Sequence, residues 1–167
     1  MGEIECFSCM SLSYRDKWEH LKSIYNEPKT FTNRCNERKL TDQIPLVTCG
    51  SICVTLLEPD FEAGVLIDYK YIRGCVDTLL VNGFNESALH THRFQESDQC
   101  RSLPRTQLYK VGRVQDRAVY GDVTLCSCFG TRCNGVSSAA ARPCLSPTFF
   151  VFFVYLVKLF LLRADLR

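Results

Sequence analysis

Ten cysteines stand between residues 6 and 133, in the order Cys6-x2-Cys9, Cys35, Cys49-x3-Cys53, Cys75, Cys100 and Cys126-x-Cys128-x4-Cys133. Two kinds of chemistry use such a set. An even number of cysteines at uneven spacing reads as a disulfide framework, and thiolates at ligand-like spacing read as a zinc site. For zinc, Cys6-x2-Cys9 and Cys126-x-Cys128 supply sulfur and His90-x-His92 supplies nitrogen. No second Cys-x2-Cys stands at a finger-like distance, so disulfides are the favoured reading and an intracellular zinc protein is the alternative. Spacing alone does not pair the cysteines, since ten of them allow roughly 945 connectivities.

Other chemistry is thinly represented. The chain has no Gly-rich phosphate loop, no Gly-x-Ser-x-Gly elbow and no His-Glu-x-x-His helix, and no spacing singles out a pair of carboxylates. A non-enzymatic role without a cofactor is expected. Asn85-Glu86-Ser87 is a glycosylation sequon, usable where the domain is lumenal.

The elements that must hold this set are short. A chain of 167 residues accommodates one domain plus a tail. No long apolar run interrupts residues 1–144, so the core is modest and covalent staples contribute much of the stability. Tyr14, Trp18, Leu21 and Tyr25 recur at helical spacing and predict a short amphipathic helix with its apolar side on the core. Ile52–Leu57 and Val65–Ile72 predict a long hairpin, broken by Glu58-Pro59-Asp60 and reopened at Gly64. Val76–Val81 reads as a strand running into an Asn82-Gly83 turn, His90–Gln99 as a polar loop, and Leu108–Val114 with Ala118–Leu125 as a last strand pair kinked near Tyr120-Gly121-Asp122. Cys126–Cys133 reads as a covalently closed loop.

The net charge of +2 belongs to the tail. Residues 138–167 carry Arg142, Lys158, Arg163 and Arg167 against Asp165, leaving 16 basic and 17 acidic residues before them. No basic stripe remains to suggest nucleic acid. The tail itself matches a GPI signal. Ser137-Ser138-Ala139 are the small residues, Ala140–Pro147 the spacer and Thr148–Leu162 the apolar end. Ser137 is the expected attachment residue, with Gly135 and Ser138 as neighbouring candidates. The rival is a transmembrane segment, for which the run is short and contains Lys158, while Arg163 and Arg167 suit a cytoplasmic end. An eleventh cysteine, Cys144, leaves with a cleaved tail, and the remaining ten are an even set. The N-terminal Met1-Gly2-Glu3-Ile4-Glu5 has neither a basic nor an apolar signal region, so access to an oxidising compartment calls for an upstream exon or an alternative start. The expected division is a disulfide domain over 1–134, a linker with the attachment region over 135–147 and a removable signal over 148–167.

The opening Cys-x2-Cys and the closing Cys-x-Cys-x4-Cys-Asn resemble the three-finger domain of the lymphocyte-antigen-six/urokinase-receptor (LU) family over residues 4–134. The resemblance implies a small, disulfide-rich, mainly β, snake-toxin-like fold, with a long first finger containing the short helix. It implies the pairs Cys6–Cys53, Cys9–Cys35, Cys49–Cys75, Cys100–Cys126 and Cys128–Cys133, and an Asn134 that hydrogen-bonds into the core beside the first strand. Ser127 separates Cys126 from Cys128 where many members have adjacent cysteines.

Glu5-Cys6-Phe7-Ser8-Cys9-Met10, Tyr71-Ile72-Arg73-Gly74-Cys75, Asn82–Leu89, Cys100–Arg105 and Val119–Cys126 are similar to the nematode neuronal branch of that family, the branch of the odorant-response-defective protein and its paralogues. What this implies is a GPI-anchored module on the outer face of a neuronal membrane that docks on a receptor, channel or secreted ligand and modulates signalling in chemosensation. A secreted or single-pass form of the same domain is the alternative. Trp18, Tyr14, Phe61 and Phe84 are candidate aromatic anchors, and each is equally a candidate packing residue.

Overall fold

The computed structural model describes residues 2–110 and 121–136. Among the described residues, seven strands form two sheets. β1 (Ile4–Phe7) pairs antiparallel with β3 (Leu46–Cys49). The larger sheet has the order β2-β5-β4-β7-β6, from β2 (Cys9–Met10), β5 (Val65–Cys75), β4 (Cys53–Glu62), β7 (Asp122–Cys128) and β6 (Gln99–Pro104). Three fingers leave a common base. The first runs between β1 and β3, the second is the β4–β5 hairpin, and the third runs from Val76 to β7.

β4 is the central strand, and its residues Cys53–Glu58 are buried on both faces. One face, through Val54 and Leu56, meets the main core. Tyr14 and Tyr25 of the first finger and Phe84, Leu89, Phe94 and Leu108 of the third cover it. Phe7, Leu40 and Ile44 form a second cluster with the Cys9–Cys35 bond, and Leu46 and Tyr71 pack against it. This double cover gives the small domain a core that a single-sided sheet of this size lacks.

Residues 12–21 are helical, as a 3-10 turn (Leu12–Lys17) followed by α1 (Trp18–Leu21), and the chain then turns into a bridge between Tyr25 and Leu80. Tyr14 and Tyr25 are buried, Trp18 and Leu21 pack partly buried against the core, and Trp18 meets Phe31 edge-on at 5.3 Å. The apolar side therefore covers the core.

Four local expectations are corrected. Val76–Leu79 is a helix, α2, because Val76, Leu79 and Leu80 all reach the core at spacing i, i+3, i+4. The expected polar loop begins inside α3 (Glu86–Thr91), which Asn85 caps by accepting from Ser87 N at 3.1 Å, and Phe94 within that stretch is fully buried. The last strand pair among the described residues is β6–β7: Asp122–Leu125 is strand, as expected, and its partner is β6. Arg105–Leu108 is α4, while 111–120 lies outside the described residues. The closed loop is also shorter than expected, since Cys126–Cys128 are still strand.

Candidate functional site

The base of the sheet explains how the cysteines are used. Cys53 lies directly opposite Cys75 on β5 and Cys128 on β7, so three cysteines form a row across adjacent strands. None bonds its neighbour in the row. Cys53 bonds Cys6 on β1, Cys75 bonds Cys49 on β3, and Cys128 bonds Cys133. The row thereby ties the two-stranded sheet and the C-terminal turn onto the large sheet. Cys9–Cys35 closes the first finger, and Cys100–Cys126 joins opposite residues of β6 and β7. Cys6, Cys9, Cys126 and Cys128 are all bonded to sulfur, so they are not thiolate donors and the zinc reading loses its ligands. His90 is exposed.

Two buried polar centres brace the knot. Asn134 accepts from Phe7 N and donates to Phe7 O, both at 3.0 Å, and donates to Val54 O at 3.2 Å. Arg73, 1% exposed, donates to the carbonyls of Cys35 (3.0 Å), Glu37 (2.8 Å) and Asn134, and burial pulls its pKa down to about 10. Neither residue is exposed enough to bind a partner.

A third centre joins the fingers. Glu58 of the second finger accepts from Tyr25 Oη of the first at 2.5 Å and pairs with Arg105 of the third at 3.0 Å. Tyr109 Oη lies 3.0 Å from Tyr25 Oη. Burial raises the pKa of Tyr14, Tyr25 and Tyr109, with neighbouring Glu58 adding to the effect in each case. From sequence, Tyr14 and Tyr25 are expected on the apolar side of the helix, Tyr14 also as a candidate anchor, Tyr109 in a strand, Glu58 at the break of the hairpin and Arg105 only in a family-like motif; the one available signal is Glu58 directly after the apolar run Ile52–Leu57.

Among the described residues, only the second finger carries large apolar side chains into solvent as a group. Phe61, Val65, Leu66, Ile67 and Tyr69 are 60, 66, 44, 58 and 39% exposed. Their placement follows from the turn. Ala63 and Gly64 both have positive φ, 50° and 82°, as a two-residue hairpin loop with type I′ twist requires. A register shift at Asp60/Phe61 sets two residues, Leu66 and Ile67, against Phe61. Of the four candidate anchors, Phe61 is at this tip. Tyr14 and Phe84 are core residues, 4% and 2% exposed, and Trp18 is half-buried against Phe31.

Asn85 is half-buried. Its Oδ1 caps α3 and its Nδ2 donates to Gln107 O at 3.0 Å, which leaves the second N–H of that amide unused by the cap. Gly135 is buried, accepts from Leu40 N at 2.7 Å and faces Phe7, whose Cε2 would lie 2.5 Å from an added Cβ. Ser137, Ser138 and the apolar segment 148–162 lie outside the described residues. Among the described residues no helix is long and apolar enough to cross a membrane.

Five disulfides at the base of a mainly β sheet, with three projecting fingers, define a three-finger domain. The family model described as Caenorhabditis elegans ly-6-related protein matches residues 9–135, which is most of the chain. The chain belongs to this Ly-6-related family. Membership supports the role of a small cell-surface or secreted binding module, in a family that is generally non-enzymatic. No curated protein and no solved structure gives a match.

Proposed function

We propose that this chain is a GPI-anchored binding module on the outer face of a neuronal membrane, where it docks on a receptor, channel or secreted ligand and modulates signalling, in a setting such as chemosensation. The observation that carries the binding role is the exposed apolar tip of the second finger, set on a base that five disulfides and two buried polar centres hold rigid. A rigid scaffold presenting aromatic and aliphatic side chains at a loop tip limits the ordering cost of association. The neuronal and chemosensory setting rests on the resemblance of the motifs around Cys6, Cys75 and Cys126 to the nematode branch.

The lipid anchor rests on the small residues at Ser137 and Ser138 followed by an apolar end. The burial of Gly135 favours the two serines over it. Treatment of cells expressing the full chain with phosphatidylinositol-specific phospholipase C tests the anchor. Release of protein lacking residues 148–167 is the expected result. Retention on the membrane, with the C-terminal peptide recovered from mature protein, favours the single-pass form, to which Arg163 and Arg167 would give a cytoplasmic end.

A further inference from the structure

The two faces of the second finger differ in chemistry at its tip. Side chains alternate along a strand, and directly paired residues share a face. The pairs Pro59↔Tyr69 and Phe61↔Leu66 put Pro59, Phe61, Leu66 and Tyr69 on one side, and Ile67 is the extra residue opposite Phe61. The pairs Glu58↔Lys70, Asp60↔Asp68 and Glu62↔Val65 put Asp60, Glu62 and Asp68 on the other, with Val65 beside Glu62 as its one exposed apolar residue. Lys70 is the cation of that second face, and Asp60 holds it at 2.6 Å. The tip therefore has one apolar face and one face with an acidic excess carried by Glu62 and Asp68.

We propose that this tip is a two-faced wedge for a protein partner: Phe61, Leu66, Ile67 and Tyr69 enter an apolar cleft, while Glu62 and Asp68 meet Lys or Arg side chains on its rim. The inference rests on the binding-module reading and adds the contact face and the partner's chemistry. Charge decides between protein and lipid. An anionic leaflet attracts polybasic segments and repels an acidic tip, so a bilayer is the poorer fit for this surface. The placement of the chain end agrees. Asn134 is tied to Val54 at the base of β4, and Glu62 lies eight residues further along that strand, roughly 25 Å away at the usual strand rise. An anchor following Val136 leaves from the pole opposite the wedge, which points the tip away from the membrane that holds the domain.

The test uses the full chain expressed on cells behind a cleavable secretory leader, with phage-displayed short random peptides as probe and cells lacking the chain for subtraction. Enriched peptides are expected to combine apolar residues with Lys or Arg. Their binding should fall about tenfold or more with Ile67→Ser or Phe61→Ser, as for an anchor residue, and should weaken with added salt. Glu62→Gln with Asp68→Asn should remove most of the salt dependence. All four positions are solvent-facing, and unchanged surface staining and non-reducing mobility establish that each variant folds. Peptides that bind the Ile67→Ser chain as well as the parent overturn the wedge and leave the binding-module reading intact. Acidic peptides overturn it too. So does Ile67-dependent capture of phosphatidylcholine vesicles containing phosphatidylserine, which would make the tip a lipid contact. Failure to enrich any peptide or capture any vesicle counts against both readings.

Discussion

Asn134 stands where a strand partner of Phe7 would stand: its side-chain amide takes the Phe7 N–H and returns a hydrogen bond to the Phe7 carbonyl, each at 3.0 Å. A third bond, to Val54 O, reaches the central strand, so one side chain joins β1 to β4 beside the Cys6–Cys53 bond. Asn134→Ala strands three buried backbone groups and should cost about 3 kcal/mol in urea unfolding. Asn134→Asp keeps the acceptor for Phe7 N but sets a buried carboxylate against two carbonyls. Its pKa should lie above the unfolded value of about 4, so the stability it retains is full below that value and is lost as pH rises. The aspartate variant should therefore gain stability as pH falls from about 7 toward about 4, and the alanine variant should show no matching gain.

The finger-joining centre has its own pH signature. Tyr14, Tyr25 and Tyr109 have raised folded-state pKa values, so the folded domain binds more protons than the unfolded chain above pH of about 10. Their contribution is complete below that pH and is lost as pH rises beyond it. Titration by tyrosine absorbance should show three of the seven tyrosines ionising only with loss of near-UV circular dichroism. Glu58→Ala removes the acceptor of Tyr25 and an ion-pair partner of Arg105, and should destabilise by about 3 kcal/mol. If instead all seven tyrosines titrate together in the folded protein, the centre is open to solvent.

Much of this fold was legible because the chain announces it twice, in cysteine order and in strand formers. The β4–β5 hairpin follows from Ile52–Leu57 and Val65–Ile72 around Gly64, and the apolar side of residues 14–25 from helical spacing. The pairing of the cysteines was not in the spacing and came with the family resemblance. Val76–Leu80 misled because a short apolar run satisfies both periods, and the i, i+3, i+4 contacts that settle it are made by other segments. The site was legible only in Phe61. Val65-Leu66-Ile67 reads like any core strand, and nothing local tells that β4 and β5 outrun the strands beside them. β7 stops pairing with β4 at Leu57 and β2 meets β5 only at Ile72 and Arg73, so among the described residues no strand pairs with the outer half of the hairpin.

The sequon and the helix cap share Asn85, and two substitutions separate them. Asn85→Ala loses both, and with the cap about 1 kcal/mol of stability. Ser87→Ala keeps the Asn85 side chain and the Ser87 backbone N–H it binds, and removes only the sequon. In secreted or surface-displayed protein, the parent should lose mass on treatment with peptide N-glycosidase, because Nδ2 retains an N–H free of the cap. Ser87→Ala should run at the deglycosylated position with unchanged melting temperature. A parent that does not shift shows that the capped amide is not modified.

Disulfides that close different lengths of chain should differ in worth. Cys6–Cys53 spans 47 residues and Cys128–Cys133 spans 5. In the chain-entropy treatment, the restriction of the unfolded chain amounts to about 4 kcal/mol for the first and about 2 for the second. The native-state consequences point the same way. Cys6 and Cys53 are fully buried and join the two sheets, whereas Cys133 is partly exposed and its bond closes a loop that Asn134 already fastens through Phe7 and Val54. Replacing Cys6 and Cys53 together by Ala should therefore lower the urea midpoint about twice as far as replacing Cys128 and Cys133 together. With Asn134→Ala added, the Cys128/Cys133 pair should become more costly than the two separate losses predict, because the bond and the amide fasten the same turn. Strict additivity of those two losses would show that Asn134 and the last disulfide act independently.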